Sequence, residues 1–491
     1  MQFGREINRL MAAVLIAFAL VALSATYWSV YGPDTILLRE DNPRLVEAEA
    51  SIVRGDMVDR NGELLVTSQA DETGQLARRY LYPEMNGTLG YFSLRYGVGG
   101  AEAAFDTQLR GDDLTGDLGD YFERGILHRP QRGSSVQLTF DLDIQRQVAA
   151  AMQGYTGAAV VLSVPSGEVL SLISLPTYDP NTLDADWETL VAAPGNPFFN
   201  RVLQGNYQPG GMLQTPLMLG ALATSQPLDT PFEEGDAPVS ITTSTNGTPT
   251  TFTVNCVVRP SLSSLTLVDA YIYGCPAPFA QVASTLGVDY VQQAFGTFLL
   301  NNPPTLPGFV VEPVDLVTPT GTPLPTAAPV ALNASNLQAE VLGQGQLTLT
   351  PLNMAVIIAA LLNGGNAPQP YALLAVRPPD ADVWTPVESS HTTIPLTTAE
   401  SAIQLQDWMR QAVTSGTAQA AARTGLDIGG QAALAYSGEG SKTWFAGFAS
   451  LEGGGSVVVV IVLENSNNPE EAARIGGEAL AAAVAGMQAG S

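Results

Sequence analysis

Hydrophobic and polar positions divide this chain into stretches with different periods. Residues 10–33 carry no charge and are rich in Leu, Ala and Val, a run long enough to span a bilayer as a helix. Further on, Asn61-Gly62 stands ahead of the apolar run Glu63-Leu64-Leu65-Val66, a pattern that predicts a strand, a tight turn and a second strand. Residues 135–140 alternate as a strand, and residues 141–152 place Leu142, Ile144, Val148 and Met152 near helical spacing. Two apolar runs, 157–164 and 169–174, flank the turn Pro165-Ser166-Gly167-Glu168 and predict a buried hairpin. Residues 217–223, 351–362 and 398–413 predict helices, the second stopped by Asn363-Gly364-Gly365. Residues 243–253 are Thr-rich and extended, and the Pro and Thr between 303 and 329 mark a surface connection. Near the end, strands are expected at 443–449 and 457–463, followed by a helix capped by Asn468 and opened by Pro469. Strands interleaved with helices predict an α/β (α+β) protein.

Charge places these elements relative to a membrane. Arg5 and Arg9 precede the apolar run and Asp34, Glu40 and Asp41 follow it, which predicts a single-pass anchor with the N-terminus in the cytoplasm and the bulk of the chain outside. A signal peptide cleaved near Ala22-Leu23-Ser24 is the alternative. The 491 residues suffice for two or more folded units. A formal net charge of -26 argues against nucleic acid, since phosphate binding needs clustered cations. The only lysine is Lys442. Cys256 and Cys275 are the only cysteines; in an oxidising compartment they could close a loop worth about 3 kcal/mol, and two buried free thiols are the alternative. With only His128 and His391 to add, neither a metal nor another cofactor is expected.

Several motifs then follow one another in a telling order. Arg54-Gly55-Asp56-Met57-Val58-Asp59-Arg60-Asn61-Gly62 is followed by Gly100, Glu102 and Gly111; Leu138-Thr139-Phe140-Asp141 by Gln145; and Pro176-Thr177-Tyr178-Asp179-Pro180-Asn181 by Asn200-Arg201. Later come Gly343-Gln344-Gly345-Gln346, Thr350-Pro351, Thr414-Ser415-Gly416-Thr417-Ala418 and Trp444-Phe445-Ala446-Gly447-Phe448. In this order they resemble class B penicillin-binding proteins, the membrane-anchored transpeptidases that cross-link peptidoglycan. The resemblance implies an anchor at 1–33, a mixed α/β pedestal module at 34–132, and at 133–491 a transpeptidase-like domain with a central antiparallel sheet flanked by helices. Arg54, Asp59, Arg60 and Glu102 are the residues to watch in the pedestal module, either for contact with a partner or for ion pairs that hold the module together.

The resemblance also implies where the chemistry should sit. Acyl transfer in that family uses a serine with a lysine three residues on, so that the amine stands beside the hydroxyl on one helix face. Here Gly211 stands where the serine belongs and Gln214 where the lysine belongs, within Tyr207-Gln208-Pro209-Gly210-Gly211-Met212-Leu213-Gln214. The family's Ser-x-Asn falls at Gly274-Cys275-Pro276, and its Lys-Thr-Gly at Gln431-Ala432-Ala433. Glycine cannot form an acyl-enzyme, and glutamine is no general base at ordinary pH. Glu439 stands three residues before Lys442, so no Ser-x-x-Lys exists in the chain. A Ser-His pair around His391, a Ser441-Lys442 dyad and an activated Cys275 are the remaining nucleophile candidates, with a solvated loop as the expected reading of Ser441-Lys442. Helix formation after Gly211 is expected to be delayed to a Thr215-Pro216 cap.

These residues predict a catalytically inactive homologue in the cytoplasmic membrane, serving as scaffold or regulator of cell-wall assembly or division. By family analogy its partner is a polytopic glycan polymerase. A sensor that takes up a peptide stem or muropeptide without covalent chemistry is the alternative, and an enzyme with an unrecognised nucleophile the third reading.

Overall fold

The computed structural model describes residues 3–32, 49–70, 76–114, 130–224, 227–245, 248–261, 263–300, 303–309, 331–388, 392–437 and 440–489. The acidic residues after the anchor, His128, His391, Glu439 and most of the Pro/Thr-rich connection lie outside them.

Helix α1 (Phe3–Gly32) includes Ile7–Tyr27, a 21-residue stretch of mean hydropathy 2.3 that is long and apolar enough to cross a membrane. The next elements are strands β1 (Met57–Val58), β2 (Leu64–Ala70) and β3 (Leu76–Tyr80). The expected turn forms between β1 and β2, with Gly62 at φ +87°, where a side chain would be strained. Strand β4 (Ser135–Leu138) runs parallel to β1, and β9 (Leu373–Arg377) joins β4 from the far part of the chain. One six-stranded sheet therefore draws strands from both sides of residue 133. We propose that the N-terminal module and the transpeptidase-like domain nevertheless divide at that point.

The second sheet holds the site. Its strands are β5 (Gly157–Val164), β6 (Val169–Leu175), β11 (Ile428–Ser437), β12 (Gly440–Ser450) and β13 (Ser456–Glu464), in the order β11-β12-β13-β5-β6, all neighbours antiparallel. The unbroken apolar run of β13 follows from helices covering both faces. Val458, Val460 and Val462 belong to one core with α6 (Pro351–Leu362), whereas Val457, Val459 and Ile461 belong to another with α2 (Leu142–Ala151) and α8 (Pro469–Ala489). Asp141 caps α2 by accepting from the Asp143 and Ile144 amides, both at 3.0 Å.

Polar contacts hold the N-terminal module together and tie it to the second sheet through Arg60 and Glu168. Glu102 is fully buried; Arg54 Nη2 stands 2.8 Å and Arg78 Nε 2.6 Å from its carboxylate, while Arg54 Nη1 also reaches Asp106 at 2.6 Å. Burial alone would push Glu102 up, but the Arg78 and Arg54 guanidiniums outweigh it and hold the carboxyl below its ordinary value. Asp59, also buried, accepts from the Asn61, Glu63 and Leu142 amides, and Arg60 pairs with Glu168 at 3.2 Å. All four residues singled out in the pedestal module thus make contacts inside the chain. Any partner contact in this module would use the surface that they support.

Candidate functional site

The segment around Gly211 is clamped from three sides. Tyr207 bridges Leu349 through two backbone hydrogen bonds of 3.0 and 2.8 Å, and its hydroxyl donates to Glu464 at 2.7 Å. Buried Trp444 donates its indole N–H to the Gln208 carbonyl at 2.9 Å. The Gly210 amide donates to the Gly343 carbonyl at 2.9 Å. Gly210 has φ +53°, and a Cβ there would stand 2.2 Å from the Leu434 carbonyl oxygen, so only glycine lets the backbone approach β11 this closely.

Residues Gly210–Leu213 form a 3-10 turn that runs directly into α3 (Gln214–Ala223). The expected late start at a Thr215-Pro216 cap is corrected: Thr215 lies inside the helix with its hydroxyl turned to the sheet. A Cβ on Gly211 would stand 3.2 Å from the Ala433 Cβ on edge strand β11. Thus Gly211, Gln214 and the Gln431-Ala432-Ala433 run, far apart in sequence, meet in one place.

What meets there is a chain of neutral hydrogen bonds. Thr215 Oγ1 lies 3.0 Å from the Tyr271 hydroxyl and donates to Gln431 Oε1 at 2.9 Å; Gln431 Nε2 donates to Gln214 Oε1 at 3.2 Å; Gln214 Nε2 donates to the Cys275 carbonyl at 3.4 Å. These side chains are buried. Burial pushes the Tyr271 phenol well up, against the Thr215 hydrogen bond, so it stays protonated at neutral pH. No member of this chain carries or releases charge near pH 7. It can bind by hydrogen bonding, but it supplies neither a base nor an acyl acceptor.

The third part of the site is the corner at Gly274-Cys275-Pro276, where the resemblance implies Ser-x-Asn. Helix α4 (Leu267–Tyr273) ends on Gly274 in the left-handed region at φ +66°, and α5 (Pro276–Thr297) begins two residues later. A strap, residues 254–258, crosses this corner: the Val257 amide donates to the Gly274 carbonyl at 3.3 Å and the Val258 amide to Tyr273 at 3.0 Å. A Cβ on Gly274 would meet Val257 Cγ2 and Thr417 Cγ2 at 2.9 Å each. The strap continues a hairpin of β7 (Val239–Thr245) and β8 (Thr248–Val254), which confirms the extended character expected there, and Phe252 of β8 packs on Tyr436 with ring centroids 5.2 Å apart.

Cys256 and Cys275 are disulfide-bonded across 19 positions, pinning the strap to the start of α5. The alternative of free thiols and the possibility of a Cys275 nucleophile are both set aside by this bond. Changing both cysteines to serine is expected to destabilise the domain by about 3 kcal/mol, the value for a loop of roughly this length. Equilibrium urea unfolding with and without a reductant measures it, and a reduced protein as stable as the oxidised one would show that the bond contributes nothing. Ser441 and Lys442 lie in β12, with Lys442 facing Glu464 across the ladder, and not in a loop as expected. The Ser-His candidate falls on His391, outside the described residues.

A cavity of about 170 Å³ remains between these parts, lined by Gly211, Gln214, Asn255, Leu434, Tyr436 and Asn467 with apolar neighbours. Apart from Cys256, neither the strap residues nor Asn467 stand out in the sequence; the cysteine pair is the one signal that brings residues 254–257 to this corner.

The comparisons with known proteins agree with this architecture. Residues 157–485 match the family described as penicillin binding protein transpeptidase domain. The peptidoglycan D,D-transpeptidase PbpA of Mycobacterium tuberculosis is 29% identical over 406 residues, covering 78% of this chain and 77% of that protein. Its namesake in Mycolicibacterium smegmatis is 28% identical over 479 residues, covering 91% of each. Among solved structures, the imipenem acyl-enzyme complex of penicillin-binding protein A from M. tuberculosis superposes with a TM-score of 0.74 at 25% identity, covering 89% of this chain and 99% of that one.

Proposed function

Since the chain belongs to the penicillin-binding protein transpeptidase family, and is a membrane-anchored homologue tied to peptidoglycan synthesis, we propose that it acts without acyl transfer, as a scaffold or regulator in cell-wall assembly or division. The observation that carries this reading is the neutral Thr215-Gln431-Gln214 chain beside Gly211. No hydroxyl stands at Gly211, and no ammonium stands at Gln214 or Gln431. In this reading the N-terminus lies in the cytoplasm, and the anchor with the pedestal module meets a polytopic glycan polymerase. The intact clamps around Tyr207 and Trp444 support it, because they preserve the framework where the chemistry is missing. Labelling by a β-lactam is the test: the expected result is no covalent adduct.

One observation favours a second activity for the same fold. The cleft has not been filled by larger side chains, and its cavity fits a group about the size of a single side chain, which supports non-covalent uptake of a peptide stem or muropeptide.

A further inference from the structure

We propose that the cleft beside Gly211 selects an uncharged, amide-bearing ligand and rejects the corresponding carboxylate. The inference rests on the non-covalent uptake just described and names its ligand class. Among the described residues, no Lys, Arg, His, Asp or Glu side chain lines the cavity. Its polar groups are the Gln214 amide at the base and, at the mouth, the exposed Asn255 and Asn467 carboxamides with the Tyr436 hydroxyl. To these the edge of β11 adds a backbone donor. The Ala432 amide donates outward to Thr417 Oγ1 at 3.2 Å and the Tyr436 amide outward to Gln344 Oε1 at 2.8 Å, so the period of two turns the Leu434 N–H out at the same edge. Donors and acceptors of this kind match both halves of an amide.

A carboxylate fares differently. It would give up water without meeting a cation, which is costly in a partly enclosed site. The start of α3 offers only a helix-terminal dipole, weaker than a charge-assisted pair and effective over about one turn. The -26 net charge of the chain adds a long-range repulsion that salt screens. Lys442 lies outside the lining, with Glu464 of β13 and Ala435 of β11 as its two cross-strand neighbours.

The test titrates the full chain in detergent with N-acetyl-D-alanyl-D-alanine amide and with the free acid, chosen because the relatives are D,D-transpeptidases. Calorimetry should show the amide binding at least about tenfold more tightly than the acid, a difference of about 1.4 kcal/mol, that persists at high salt. Gly211→Leu, which fills the cavity, should abolish amide binding. Asn255→Arg, a change at an exposed position that places a cation at the mouth, should shift preference toward the acid by at least about tenfold. Failure of both peptides to bind, equal or tighter binding of the acid, unchanged binding in Gly211→Leu, or an unchanged preference in Asn255→Arg would each overturn the inference. None of those results bears on acylation. A β-lactam adduct would overturn the non-acylating reading and leave the ligand preference standing.

Discussion

The double variant Gly211→Ser/Gln214→Lys, incubated with a fluorescent penicillin, is expected to remain unlabelled. Space is not the obstacle at Gly211, where a Cβ needs only a few tenths of an ångström from Ala433. The obstacle lies in the groups around it. A lysine at 214 removes the acceptor that takes the Gln431 Nε2 hydrogen, and it sets an ammonium against that amide in a place where Gln214 Nε2 donates only to the Cys275 carbonyl. An amine buried without a counter-charge loses its proton or turns away. No polar side chain remains at Gly274 or Pro276 to pass a proton on, and Gln431 gives a β-lactam carboxylate no cation. Removal of one catalytic member can cost a serine hydrolase on the order of 10⁶ in turnover, and the cost is shared among members that act as a unit. Stoichiometric labelling of this double variant would show that the changes at Pro276 and Gln431 do not matter.

Glu102→Ala should be the most damaging single substitution in the pedestal module, costing about 3 to 5 kcal/mol in equilibrium denaturation. It leaves Arg54 and Arg78, both buried, without the carboxylate that neutralises them. Asp106→Ala removes a partner that is one third exposed and should cost at most about 1 kcal/mol. The pH dependence has a definite sign. Because the Glu102 carboxyl is held below its ordinary value, its contribution is fully present above the unfolded carboxylate value of about 4.3 and is lost as pH falls through the lower folded value. The wild-type protein should therefore lose more stability below about pH 4.3 than Glu102→Ala does. Equal acid sensitivity would remove Glu102 from the account.

The elements most readable from sequence are those with long periods and strong punctuation. Asn61-Gly62 announces its hairpin, Thr350-Pro351 with Asn363-Gly364-Gly365 brackets α6, and Asn468-Pro469 opens α8. Sheet order was less readable, since β9 joins β4 across more than 230 positions and no local pattern encodes that pairing. At the site, the family order located Gly211, Gln214 and Gln431, which lie within hydrogen-bonding distance or contact of one another or of shared neighbours. The inward turn of Thr215 was hidden because Thr-Pro is also a good helix start, and only tertiary packing against Tyr271 decides between the two. The strap was hidden for a related reason. Residues 254–258 have no periodicity of their own, and their position depends on a disulfide and two backbone bonds to α4.

The central claim, that this fold is kept without its acyl chemistry, is tested most directly by the intact mass of the purified wild-type protein after prolonged exposure to penicillin. A serine-bearing relative serves as the positive control. The predicted result is a mass unchanged by the drug while the control gains one equivalent. A wild-type protein that gains one equivalent, at any residue lining the cleft, would contradict the account.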